Sequence, residues 1–142
     1  MANGMIFLVE DDPDHEALAI RALRKANVVN EIKVARDGAE ALDFIAKVAA
    51  GTEPLPQLVL LDLKLPKVEG LDVLRAIRAG DKTALMPVVV LTSSDEERDI
   101  VSSYRLGVNS YIRKPVNFTD FAEATRQLGV YWLLLNQCPP NP

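Results

Sequence analysis

The chain has 142 residues, 49% hydrophobic and 25% charged, which suits one folded domain with a buried core and excludes a disordered chain. Twenty acidic against sixteen basic side chains give a net charge of −4 with no basic block, so no nucleic-acid partner is expected. Cys138 has no second cysteine to pair with, the N-terminus lacks a leader pattern, and no apolar run approaches the roughly 18 residues that cross a bilayer; a cytoplasmic protein is expected, with no membrane partner.

Met5 to Val9 is a short apolar run that predicts a strand buried on both faces, and Glu10-Asp11-Asp12 places three carboxylates directly after it. Pro13 suits the first position of a helix, with Asp14 and Glu16 in the turn where the helix dipole favours anions. Ala19, Ile20, Leu23 and Ala26 give that helix its inward stripe, and His15 is expected on its exposed first turn. Ile32 to Ala35 predicts a weaker strand near a sheet edge. Asp37-Gly38-Ala39-Glu40 has the form of a capping box, opening a helix with Leu42, Ile45 and Val48 inward. Gly51, Pro54 and Pro56 break it.

Leu58-Val59-Leu60-Leu61 is the central buried strand, and Asp62 closes it. Leu71, Leu74 and Ile77 set a helix within residues 68–78, ended by Gly80. Val88 to Leu91 forms another doubly buried strand leading to Thr92, and Ser94-Asp95-Glu96-Glu97 reads as a second capping box for a helix running to about Leu106. Tyr111-Ile112 marks a fifth strand ending at Lys114-Pro115, and Phe118, Phe121, Ala122, Thr125 and Leu128 form the inner face of the last helix.

Strands alternating with helices imply a parallel sheet with right-handed crossovers and helices on both faces, its ligands lying at the carboxyl ends of the strands. Those ends carry Asp11, Asp12, Asp62, Thr92 and Lys114. Carboxylates gathered in a crevice repel, and a hard divalent cation such as Mg²⁺ relieves them while accepting a phosphoryl oxygen. An aspartate carboxylate is a competent nucleophile toward phosphorus, with Lys114 and Thr92 positioned to hold the phosphoryl oxygens, so the set reads as phosphoryl transfer to Asp62.

The acid pair Asp11-Asp12, Asp62 in its Leu-Asp-Leu-Lys-Leu-Pro context with Gly70 following, Thr92-Ser93 and Lys114-Pro115 resemble the signature of response-regulator receiver domains across essentially the whole chain. The resemblance implies an α/β, flavodoxin-like (βα)5 sandwich with a five-stranded sheet of order 2-1-3-4-5. It implies that Asp62 accepts phosphate from a histidine kinase. Asp12 would bind Mg²⁺ directly, Asp11 mainly through water, and the backbone carbonyl of Lys64 would complete the ligands. Thr92 and Tyr111 would be the switch pair, and Lys114-Pro115 a cis peptide.

Within that family the segments Val34 to Asp43, Leu106 to Ile112 and Gln127 to Asn136 are similar to regulators that stand alone and pair with phytochrome-type kinases. One receiver domain over residues 1–142 is expected, with 130–142 an apolar extension and tail, and output passing through another molecule. Val130 to Leu135 is more hydrophobic than one core requires, which suggests a homodimer formed by this segment with the helix four, strand five and helix five side. No turnover of a separate substrate is expected: an aspartate-type phosphatase places a second acid two residues after its nucleophile, and here that position is Lys64. The alternative is a receiver-like binding module that works without phosphorylation.

Overall fold

A computed structural model describes residues 4–140. Five strands, β1 (Ile6–Val9), β2 (Ile32–Ala35), β3 (Leu58–Leu61), β4 (Val88–Thr92) and β5 (Ser110–Arg113), alternate with α1 (Pro13–Lys25), α2 (Gly38–Ala50), α3 (Gly70–Ala79), α4 (Glu97–Arg105) and α5 (Phe118–Gly129). The sheet is parallel throughout, in the order β2-β1-β3-β4-β5 expected for a flavodoxin-like fold.

The continuous apolar runs are the interior strands: β1, β3 and β4 are buried along their whole length. The mixed sequences of β2 and β5 occupy the two edges, where one side faces no partner strand. Because side chains alternate along a strand, the sheet divides its apolar residues between two cores. Phe7, Val9, Val59, Leu61, Val88 and Val90 meet Phe44, Val73, Leu74 and Ile77 on one face. Ile6, Leu8, Leu58, Leu60, Val89 and Leu91 meet Leu23, Phe121 and Leu128 on the other.

Register sets the site. Val9 is level with Leu61, and Leu61 with Val90, so β1 and β3 end together and the residues after them emerge side by side. Thr92, two positions further along β4, is level with Arg113 of β5, and the Lys114 amide donates to its carbonyl at 2.6 Å.

Asp12, Asp37 and Asn117 cap α1, α2 and α5 through their side chains, and three local expectations are not met. Asp37 accepts from the Glu40 amide at 2.8 Å as a capping box requires, and α2 stops at Gly51, whose φ of 83° suits glycine. Ser94 does not cap a helix: α4 begins at Glu97 without a side-chain cap. The Ser94 side chain is buried, its Oγ donating to Asp99 Oδ2 at 2.6 Å while accepting from the Glu96 amide at 3.3 Å. Phe118, expected inward, is the first residue of α5 and is 63% exposed. Lys114-Pro115 is trans, contrary to the cis expectation, since no cis peptide occurs among the described residues. Trans remains the intrinsically favoured isomer of an X-Pro bond by about 0.5–1 kcal/mol.

Beyond α5 the chain widens into a π-helical segment, Val130–Leu135. Trp132 and Leu133 turn onto the core beside α1 and α5, leaving Tyr131, Leu134 and Leu135 exposed. Among the described residues no helix is long and apolar enough to cross a membrane.

Candidate functional site

Asp62 follows the central strand and is buried. Its Oδ1 accepts from Thr92 Oγ1 at 2.8 Å and from the Lys64 amide at 3.1 Å; its Oδ2 accepts from Lys114 Nζ at 2.8 Å. The ends of β3, β4 and β5 thus bring Asp62, Thr92 and Lys114 into one hydrogen-bonded group. Lys114 also reaches Glu10 Oε1 at 2.7 Å, and the side chains of Lys114, Glu10 and Asp62 are only 5%, 4% and 6% exposed.

Of the three acids that follow β1, the first two gather with Asp62. Glu10, Asp11 and Asp62 offer carboxylate oxygens that all lie within 4.8 Å of one another. Asp12 stands outside that group: its Oδ1 accepts from the amides of Asp14 at 2.8 Å and His15 at 3.3 Å, making it the N-cap of α1. The sequence held a signal for this, because an acid directly before a proline at the first helical position is an N-cap pattern. Glu10 and Asp11 directly follow the end of β1 at Val9, and Asp62 directly follows the end of β3 beside it.

Electrostatics bind these groups into one unit. Burial pushes the Glu10 carboxyl up to about 7, against the opposing pull of Lys114. Burial works against the Lys114 ammonium, but Asp62 and Glu10 outweigh it and hold the group above its ordinary value. Asp12 is slightly desolvated, yet the His15 and Asp14 amides keep its carboxyl below the usual range. Three carboxylates facing one ammonium leave the cluster net negative, and its donors are hard oxygens, a set that fits a divalent cation.

Tyr111 OH donates to the Ser94 carbonyl at 2.8 Å, and burial raises its phenol. The Ser94 amide lies 3.4 Å from Thr92 Oγ1, so Thr92, Ser94 and Tyr111 form a continuous polar link from Asp62 toward α4 and β5. His15, expected in solvent, is half-buried: its Nδ1 lies 2.9 Å from Lys114 Nζ and its ring stacks on Phe121. A contact between residues 99 positions apart leaves no local mark in the sequence. Cys138 is exposed, as expected of a tail thiol. A separate cavity of about 480 Å³, lined by Met5, Leu55, Leu85 and Pro139 among others, includes none of the acid cluster, Thr92 or Lys114.

Residues 6–126 match the response regulator receiver domain. The probable methanogenesis regulatory protein FilR2 of Methanothrix harundinacea is 40% identical over 135 residues, covering 95% of this chain and 87% of that protein. Response regulator Rcp1 of Synechocystis is 36% identical over 130 residues, or 91% of this chain and 88% of that protein. The crystal structure of its Mn(2+)-bound form matches with a TM-score of 0.89 at 35% identity, covering 96% of this chain and 99% of that one. That of the phosphorylated cyanobacterial phytochrome response regulator RcpA matches with a TM-score of 0.90 at 37% identity, covering 97% and 99%. The family match spans all five strands, and the sheet order agrees with it: the chain belongs to the response-regulator receiver family, with phytochrome response regulators among its relatives.

Proposed function

We propose that this chain is a two-component response regulator whose Asp62 accepts a phosphoryl group from the phosphohistidine of a sensor kinase, of the phytochrome type, in a Mg²⁺-dependent reaction. The observation that carries this reading is the division of labour around Asp62: Lys114 engages one carboxylate oxygen, Thr92 the other, and two further acids stand beside them. In the transfer an Asp62 oxygen forms the new bond to phosphorus while the bond from phosphorus to the histidine nitrogen breaks, leaving the electron pair on the imidazole. Glu10, Asp11, Asp62 and the Lys64 carbonyl would hold the Mg²⁺, which when bound neutralises the crowded negative charge. Lys114 supplies a fixed positive charge for the phosphoryl oxygens, and Thr92 Oγ1 exchanges its bond to Asp62 for one of them. The polar link through Ser94 to Tyr111 passes that exchange to the α4 and β5 surface, where Val101, Tyr104, Val116 and Phe118 are exposed. The kinase assignment is supported by the relatives described as phytochrome response regulators.

Intact mass after incubation with Mg²⁺ and acetyl phosphate tests the reading. A phosphoryl adduct is expected on the wild type, with none on Asp62→Asn or after chelation. A folded wild type that takes no adduct would favour a binding module that works without phosphorylation.

The exposed Tyr131, Leu134 and Leu135 support a homodimer through the C-terminal segment and the adjoining α4, β5 and α5 side. Trp132 and Leu133 are anchored in the chain's own core, so the test belongs on their exposed neighbours. Leu134→Ser combined with Leu135→Ser is expected to move the sedimenting species from dimer to monomer at tens of micromolar. A wild type that already sediments as a monomer there overturns the dimer.

A further inference from the structure

We propose that His15 is a positioning residue, which fixes the Lys114 ammonium for phosphoryl transfer to Asp62; the kinetic part of this inference rests on the function proposed above. An ammonium has three N–H donors and no acceptor. All three find partners here: Glu10 Oε1 at 2.7 Å, Asp62 Oδ2 at 2.8 Å and His15 Nδ1 at 2.9 Å. Because the ammonium can only donate, Nδ1 accepts and the ring proton sits on Nε2.

The imidazole is held from two sides. Its ring stacks on Phe121 of α5, with centroids 5.2 Å apart and planes at 25°, and Phe121 is itself buried. The His15 amide donates to Asp12 Oδ1 at 3.3 Å, so the α1 cap sets where the side chain starts. Asp12 Oδ2 lies 3.6 Å from Nδ1, beyond hydrogen-bonding length, so it does not call for a proton on the nitrogen that Lys114 meets at 2.9 Å.

The arrangement matters when the charges at the site change. Phosphorylation takes Lys114 away from Asp62 Oδ2 toward a phosphoryl oxygen, and Glu10 belongs to the acid cluster, where a cation competes for its charge. His15 stands outside that cluster, and its Nδ1 remains on the ammonium throughout. A long, flexible lysine stem held by one lasting acceptor keeps its charge where the phosphoryl oxygens arrive.

Two substitutions separate the acceptor from the packing. His15→Phe keeps a ring against Phe121 and removes the acceptor; His15→Asn places an amide oxygen where Nδ1 stood. With Mg²⁺ and phosphoramidate as donor, His15→Phe is expected to lower the maximal uptake rate about 5- to 10-fold at unchanged half-saturation, and His15→Asn to stay within about twofold of wild type. A second readout needs no phosphorylation: by ¹⁵N NMR, the Lys114 ammonium protons should exchange with water faster in His15→Phe, and at the wild-type rate in His15→Asn. Uptake and exchange both unchanged in His15→Phe overturn the role, as does an equal loss in the two variants. A wild type that takes no phosphoryl group strikes the phosphorylation reading instead, and the exchange rates alone then decide whether His15 positions Lys114.

Discussion

Lys114→Met is expected to destabilise the fold by about 3 kcal/mol at pH 8 in the presence of a chelator, because it strands two buried carboxylates without their cation. Glu10 and Asp62 both contact Nζ, and all three side chains are almost fully enclosed. The deficit should shrink as the pH falls. Burial raises Glu10 from 4.5 to about 7, so between those values the folded chain keeps a proton that the unfolded chain has released, and that contribution to stability is lost as pH rises through 7. Lys114 partly offsets the upward shift, so its removal raises the group further and leaves the variant carrying a neutral Glu10 at pH 5. Urea melts at pH 5 and pH 8 measure the difference. Glu10→Gln added to Lys114→Met should recover part of the stability, since it removes one of the two unpaired charges, but none of the phosphoryl uptake. Uptake itself should drop about 100-fold in Lys114→Met, the scale of losing one electrostatic donor at a developing charge. Equal stability of wild type and Lys114→Met at pH 8 would show that the ion pair does not hold the site together.

Gly70→Ala should be nearly as damaging, through the backbone and not through charge. Gly70 opens α3, and its amide donates to the Leu63 carbonyl at 2.9 Å, folding the loop after β3 tightly onto itself. A Cβ there would press on the Asp62 carbonyl oxygen and lie 2.5 Å from the Leu63 Cα, both main-chain atoms that cannot swing aside. Relief requires moving the segment that carries Asp62 and Lys64, at a cost of about 3 kcal/mol. Thermal unfolding should therefore fall by roughly 10 °C, and uptake from acetyl phosphate should fall with it because Asp62 is displaced from Thr92 and Lys114. A melting temperature equal to that of wild type would mean that the loop has room the structure does not show.

The order of strands and helices was legible because each buried strand is a short aliphatic run and each helix carries its own 3.6-residue stripe. Asp62, Thr92 and Lys114 were legible for the same reason: each lies at or just past the end of such a run, and parallel connectivity places those ends together. The grouping of the acids was not legible in the same way. Glu10, Asp11 and Asp12 are equivalent as a string of charges, and only the end of β1 at Val9 and the capping of α1 by Asp12 separate them.

By itself, then, the amino-acid sequence determined the α/β class, the family resemblance and the strand-end residues, since these depend on local periodicity and on connectivity. Tertiary structure decided which acids share a crevice, that Ser94 turns inward to Asp99, that Trp132 packs on the core while Leu134 does not, and that His15 meets Lys114. Each of these is a contact between side chains whose direction follows from strand register and helix packing, and no residue's neighbours in the chain encode that direction.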